Sequence, residues 1–193
     1  MALLALWACD SGAPSTPPPP AGRRVDSVPA PPKAPVDLDD FCELRPPAES
    51  APVLSWPELD PDLGSAPAAG PGWTWVNVWA TWCGPCIEEM PRILTWPEKL
   101  KADGVDMRLQ LMSVDETASK VQGFRAGHHW MTDSLRSMDP NVVTPWLGAQ
   151  GLDMPSVLPL HLFVDPQGRV RCARSGAVNK DAYEAIQALV KAG

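Results

Sequence analysis

The chain has 193 residues, 45% of them apolar, which suits one ordinary domain with a hydrophobic core and some length to spare. Its 23 acidic and 16 basic residues give a formal net charge of -7 with no clustered Lys/Arg stripe, which argues against a nucleic-acid partner. Fourteen of the 24 prolines fall before residue 62, which argues against a long helix or a central strand there.

The opening segment, MALLALWAC, is apolar for eight residues and then reaches Cys9. It is too short to cross a bilayer as a helix, and it lacks a basic leader. Leu6-Trp7-Ala8-Cys9 resembles the end of a bacterial lipoprotein signal, in which the cysteine is lipidated after cleavage. Trp7 is bulkier than such signals prefer, and a frayed apolar terminus is the plainer alternative. The expected organisation is a short lipoprotein signal over 1–9, a Pro-rich extended tether over 10–36 and a folded domain over 37–193.

Residues 37–72 alternate short apolar pieces with Pro, Asp and Gly, and PVLSWPEL suits an edge strand or an irregular packing arm. WTWVNVWA, 73–80, is aromatic and β-branched, apolar on both faces, and predicts a buried parallel strand. Gly84 and Pro85 then mark a helix start. Ile87, Met90, Ile93 and Leu94 can share one helix face, and Pro91 and Pro97 should kink or interrupt it. VDMRLQLMSVD, 105–115, predicts a second strand, followed by a helix over 116–127 and a short one over 142–147. PLHLFVD, 159–165, is a third strand, PQG a turn that includes neighbouring Asp165 as a turn residue, and RVRCARSG a fourth strand in hairpin with the third. A closing helix carries Tyr183, Ile186, Leu189 and Val190 on one stripe. This order implies an α/β domain: a mixed sheet with helices on both faces, ending in a β-hairpin plus helix.

If Cys9 is lipidated, four cysteines remain: Cys42, Cys83, Cys86 and Cys172. Spacing favours Cys83 with Cys86; Cys42 and Cys172 are then either a structural disulfide or two buried thiols. A closed zinc site needs four ligands, and no second cysteine pair exists, so no metal is expected. Redox chemistry accounts for more of the motif. A cysteine beside a helix start faces unpaired backbone N–H groups that favour its thiolate, and a second one turn later can reach the same sulfur. Gly84 lets the chain bend, and Pro85 fits the first turn.

The segment VNVWATWCGPCIEEMP resembles the active-site segment of the thioredoxin superfamily, especially membrane-attached bacterial thiol–disulfide oxidoreductases of the TlpA/ResA type. The resemblance covers roughly residues 50–193 and implies a thioredoxin-like fold. It implies an exposed nucleophile at Cys83, a resolving cysteine at Cys86, a neighbouring tryptophan at Trp82, a helix-kinking proline at Pro91 and a substrate surface that includes Gly84 and Pro85. It also implies a cis-proline opposite the redox pair, matched by Pro159 with Pro155 as nearby competitor, and pairing of the Leu158 backbone with an extended substrate. Glu89 matches an acidic residue that influences thiol ionisation; an exposed helix-start glutamate, a role Glu88 fits equally well, is the alternative. Asn77 departs from the buried aspartate of ordinary thioredoxins and cannot take a proton, which passes that task to water or Glu89.

The resemblance further implies protein disulfide or dithiol substrates, with reduction favoured and apocytochrome c among the candidates. It implies a membrane thiol-transfer protein as electron donor, no cofactor, and a location in the bacterial periplasm or cell envelope. The alternatives are a non-catalytic binding module for exported proteins and a dedicated dithiol oxidase. Trp130 and Trp146 either line a partner groove or fill a small core, Trp79 belongs to the core, and His128 and His129 are expected at the surface.

Overall fold

The computed structural model describes residues 36–193 except Ala69; the signal expected over 1–9, its Cys9, and the tether as far as residue 35 lie outside the described residues. The framework is a five-stranded sheet in the order β3-β2-β1-β4-β5. Its centre, β1 (Trp73–Trp79), is buried along its whole length, as its two-sided apolar pattern requires. Trp75 and Trp79 are fully buried, and the area of each side chain corresponds to roughly 4 kcal/mol of apolar burial before ordering costs.

β2 (Met107–Ser113) runs parallel to β1 and β3 (Ser134–Arg136) parallel to β2, while β4 (Leu160–Val164) and β5 (Val170–Ser175) form the antiparallel side. The hairpin between β4 and β5 turns at Gly168, whose φ of 79° is a left-handed conformation that favours glycine. Asp165 is buried there and its Oδ1 accepts the N–H groups of Gln167 and Arg169.

The helices are α1 (Leu38–Phe41), α2 (Gly84–Ile93), α3 (Trp96–Ala102), α4 (Ala118–Gly127), α5 (Val143–Ala149) and α6 (Ala182–Ala192). The stretch expected to be kinked or interrupted at Pro91 and Pro97 is divided into α2 and α3. Pro91 lies within α2, which continues to Ile93, and the break comes at Leu94–Thr95. Pro97 stands in the first turn of α3, where a missing N–H leaves no bond unmade, and the interruption falls just before it.

Residues 44–60 form an irregular arm that pairs with the sheet only through single bridges, at Leu44 with Ala173, Val53 with Arg169 and Leu59 with Ser137. The first protects the edge of β5 and the last extends past β3, so the proline-rich arm occupies edges where another chain could otherwise pair. A disulfide just before it and an ion pair at its end help to secure it. Cys42 is joined to Cys172 of β5, and Asp60 makes a buried ion pair with Arg136 at 2.7 Å. Arg136 also donates to the carbonyls of Asp115, Glu116 and Ser137, which satisfies its guanidinium inside the protein.

Candidate active site

β1 ends beside β2, and the chain turns through Ala80–Trp82 before α2 begins. Asp115, wholly buried just beyond β2, holds that turn. Its carboxylate accepts the Thr81 N–H at 2.9 Å, the Thr81 hydroxyl at 2.6 Å and the Ser113 hydroxyl at 2.7 Å. Cys83 follows as the N-cap of α2, and its Sγ accepts the Cys86 N–H at 3.3 Å. Pro85 removes one first-turn N–H, leaving that of Cys86 directed at the sulfur. Cys83 and Cys86 are bonded to each other.

Exposure differs sharply around this pair. Trp82 is 66% exposed, and Gly84 and Pro85 are also at the surface. Cys83 keeps only 5% and Cys86 none, so the sulfur expected to be open is largely covered while it is bonded inward. Of the two residues, Cys83 is the one that retains any exposure. Its Sγ lies at the positive end of α2, where the Cys86 N–H meets it.

The Leu158–Pro159 peptide is cis. Leu160 pairs with Val78, which sets Pro159 level with the end of β1, where the redox turn leaves. Leu158 and Trp82 line one cleft of about 350 Å³, together with Val114, Asn141, Thr144 and Ser156. The cleft carries no charged side chain.

Beneath the disulfide lies a polar cluster. Glu89, one turn after Cys86 on the buried face of α2, is 0% exposed, unlike the surface glutamate of the alternative reading; Glu88 takes the exposed position. Glu89 Oε2 accepts the Val178 N–H at 2.7 Å, and its Oε1 accepts from Asn77 Nδ2 at 2.9 Å. Arg92 Nη2 donates to the Val178 carbonyl, so two α2 side chains clasp the same peptide segment. Burial pushes the Glu89 carboxyl up to about 7, against the pull of Val178, Asn77 and the positive charges of Arg92 and Arg174.

His161 completes the cluster, and the sequence reading passed over it. It is fully buried on β4, accepts from Trp75 Nε1 at 3.1 Å and places Nε2 3.6 Å from Glu89 Oε1. Burial, then the Arg174 charge, holds its pKa down at about 3. The one available signal was a histidine inside the apolar strand PLHLFVD.

Other candidates lie elsewhere. The Cys42–Cys172 disulfide belongs to the arm and β5 and does not line the cleft. His128 stacks on Phe124 with Trp130 edge-on to both, while His129 is exposed. Trp146 is buried and donates to the Ser55 carbonyl, so it fills a small core beneath the arm.

The chain is a thioredoxin-fold protein with a buried Cys83–Cys86 disulfide in the arrangement of a redox-active Cys-x-x-Cys site. Comparison with known proteins agrees with that fold. The crystal structure of a DsbF homologue from Corynebacterium diphtheriae superposes with a TM-score of 0.56 at 21% identity, covering 75% of this chain and 91% of that one. A putative thiol:disulfide interchange protein DsbE from Chlorobium tepidum gives 0.48 at 24% identity, covering 63% and 79%. In sequence, the chain is 25% identical over 118 residues to the thiol-disulfide oxidoreductase ResA of Bacillus subtilis, and the match spans 61% of each protein. No family model matches the chain.

Proposed function

We propose that this protein is an extracytoplasmic thiol–disulfide oxidoreductase that reduces selected protein disulfides. The observation that carries the reading is a disulfide at the start of α2 in which only Cys83 retains exposure, beside an uncharged cleft. In the forward direction the Cys83 thiolate attacks one sulfur of a substrate disulfide; that bond breaks, and the other substrate sulfur leaves as a thiolate. Cys86 then gives its proton to the Glu89 carboxylate and attacks Cys83 Sγ. The mixed disulfide breaks, the substrate departs with both sulfurs reduced, one taking the proton that Glu89 returns and the other a proton from water, and the enzyme is left as the Cys83–Cys86 disulfide. Two electrons have passed to the substrate, and a membrane thiol-transfer protein is the proposed donor that restores the dithiol.

In this account Trp82, Gly84, Pro85 and the Leu158–Pro159 segment form the rim that receives the substrate. The similarity to ResA is consistent with placement outside the cytoplasm, and apocytochrome c cysteines are the substrate class proposed from the motif resemblance. Lipidation at Cys9, with residues 10–36 as tether, would hold the domain near a membrane. The proposal requires no cofactor.

The slight exposure of Cys83 is the feature that favours a second reading, a thioredoxin-like binding module whose disulfide is structural. A redox titration with turnover separates the two. A reductase should titrate near or below the roughly -270 mV of thioredoxin and reduce a protein disulfide repeatedly when supplied with dithiol. A midpoint near about -120 mV would mark a dithiol oxidase instead. Binding without any turnover would leave the binding module.

A further inference from the structure

We infer that His161 is a positioning residue for Glu89, supplying through Nε2–H a hydrogen bond that forms when the carboxylate is charged and relaxes when it is protonated. The inference rests on the reading above, in which Glu89 exchanges a proton with Cys86, and extends it to a residue that reading does not require.

The argument begins with the tautomer. Trp75 Nε1 lies 3.1 Å from His161 Nδ1, and an indole N–H can only donate. Nδ1 must therefore accept, and it carries no proton. Asn77 Nδ2, whose amide also donates to Glu89, lies 3.3 Å from the same ring nitrogen and agrees with that assignment. A neutral imidazole has one N–H, so it resides on Nε2. That atom is buried with no partner inside ordinary hydrogen-bond limits; the Gly176 carbonyl also faces the ring, and Glu89 Oε1 stands 3.6 Å away. The gap is a few tenths of an ångström beyond an ordinary N–H···O bond.

Val178 N–H, from the segment before α6, and Asn77, from β1, both donate to Glu89. Arg92 of α2 and Arg174 of β5 add positive charge, and Arg174 is the β5 partner of His161 in the sheet. The same Arg174 charge opposes protonation of the ring. His161 is thus kept neutral, as a donor, and never becomes the proton acceptor itself. A donor gains much more from an anionic oxygen than from a neutral one. When Cys86 gives up its proton, Glu89 becomes neutral and the Nε2–H bond weakens. When Glu89 returns that proton, the bond tightens again. The Nε2 proton stays on the ring throughout.

His161→Leu, His161→Met and His161→Gln test this, because the first two remove the donor and the third keeps an N–H. Near-ultraviolet circular dichroism establishes which variants fold, and Met repeats the loss if Leu does not. The direct readout is the Glu89 carboxyl stretch followed by infrared difference spectroscopy across pH in the oxidised protein, with Glu89→Gln identifying the band. The expected result is a midpoint raised by about one pH unit in the apolar variants, as loss of a charge-assisted hydrogen bond implies, and restored toward wild type by Gln. An unchanged midpoint in a folded apolar variant overturns the inference. A raised midpoint also in Gln overturns it, since packing would then be the cause. The pH profile for release of a thionitrobenzoate group bound to Cys83 is measured on the same proteins. If Glu89→Gln leaves that profile unaltered, the proton-transfer reading fails, while the infrared shift still decides the role of His161.

Discussion

Glu89→Gln should change how folding stability depends on pH, with a size and sign set by two buried neighbours. In the folded protein the carboxyl holds its proton up to about 7, compared with an ordinary 4.5. Between those values the folded state binds more protons than the unfolded chain, so stability falls as pH rises. The contribution is complete below 4.5 and lost above 7. At 1.36 kcal/mol per pH unit it amounts to about 3 kcal/mol. His161 acts in the opposite sense. Its pKa is depressed from 6.5 to about 3, so its contribution is present above 6.5 and lost as pH falls toward 3. From pH 4.5 to 6.5 the two slopes nearly cancel, and the wild-type curve should be flat as far as this pair governs it. Glutamine keeps an acceptor for Val178 but cannot titrate, so it uncovers the His161 slope. Urea unfolding of both oxidised proteins at pH 5, 6, 7 and 8, at fixed ionic strength, gives the comparison. Wild type minus variant should fall by about 2–3 kcal/mol over that range. A constant offset at all four values would refute the buried, elevated carboxyl.

Three other outcomes follow from the same packing. Replacing Cys42 and Cys172 together by alanine opens a loop of 130 residues and should lower stability by about 3–5 kcal/mol in chemical denaturation, with thiol exchange retained. Arg136→Ala leaves Asp60 buried beside no compensating charge, and should cost about 3–5 kcal/mol in the same assay. Trp82→Ala removes a side chain that is 66% exposed, so stability should stay within about 0.5 kcal/mol. Its KM for a protein disulfide should rise several-fold, while reaction with a small disulfide is unaffected.

The elements legible in the sequence are those whose signal is local. Trp73–Trp79 announces a doubly buried strand by its aromatic and β-branched run, and the Cys-Gly-Pro-Cys segment carries its own turn and helix start. The hairpin around Pro166–Gly168 and the stripe of α6 are equally self-contained. β3 was missed because three residues, two of them polar, give no periodicity; Ser134 and Arg136 are buried only because Trp79 Nε1 and Asp60 meet them from elsewhere in the chain. Four-residue α1 escaped for the same reason of length. Glu88 and Glu89 were interchangeable as sequence, and only the rotation of α2 that turns Cys86 inward carries Glu89 with it. His161 and Asp115 act on residues 72 and 34 positions away, and no local pattern marks such partners.

The most direct measurement is mass spectrometry of reduced Cys86→Ser after mixing with a defined disulfide-bonded peptide. The account predicts one peptide joined to Cys83 by a bond that dithiothreitol cleaves, and, from wild type under the same conditions, free reduced peptide with the Cys83–Cys86 disulfide formed. A folded Cys86→Ser protein that stays unmodified, alongside wild type that leaves the peptide oxidised, would contradict it.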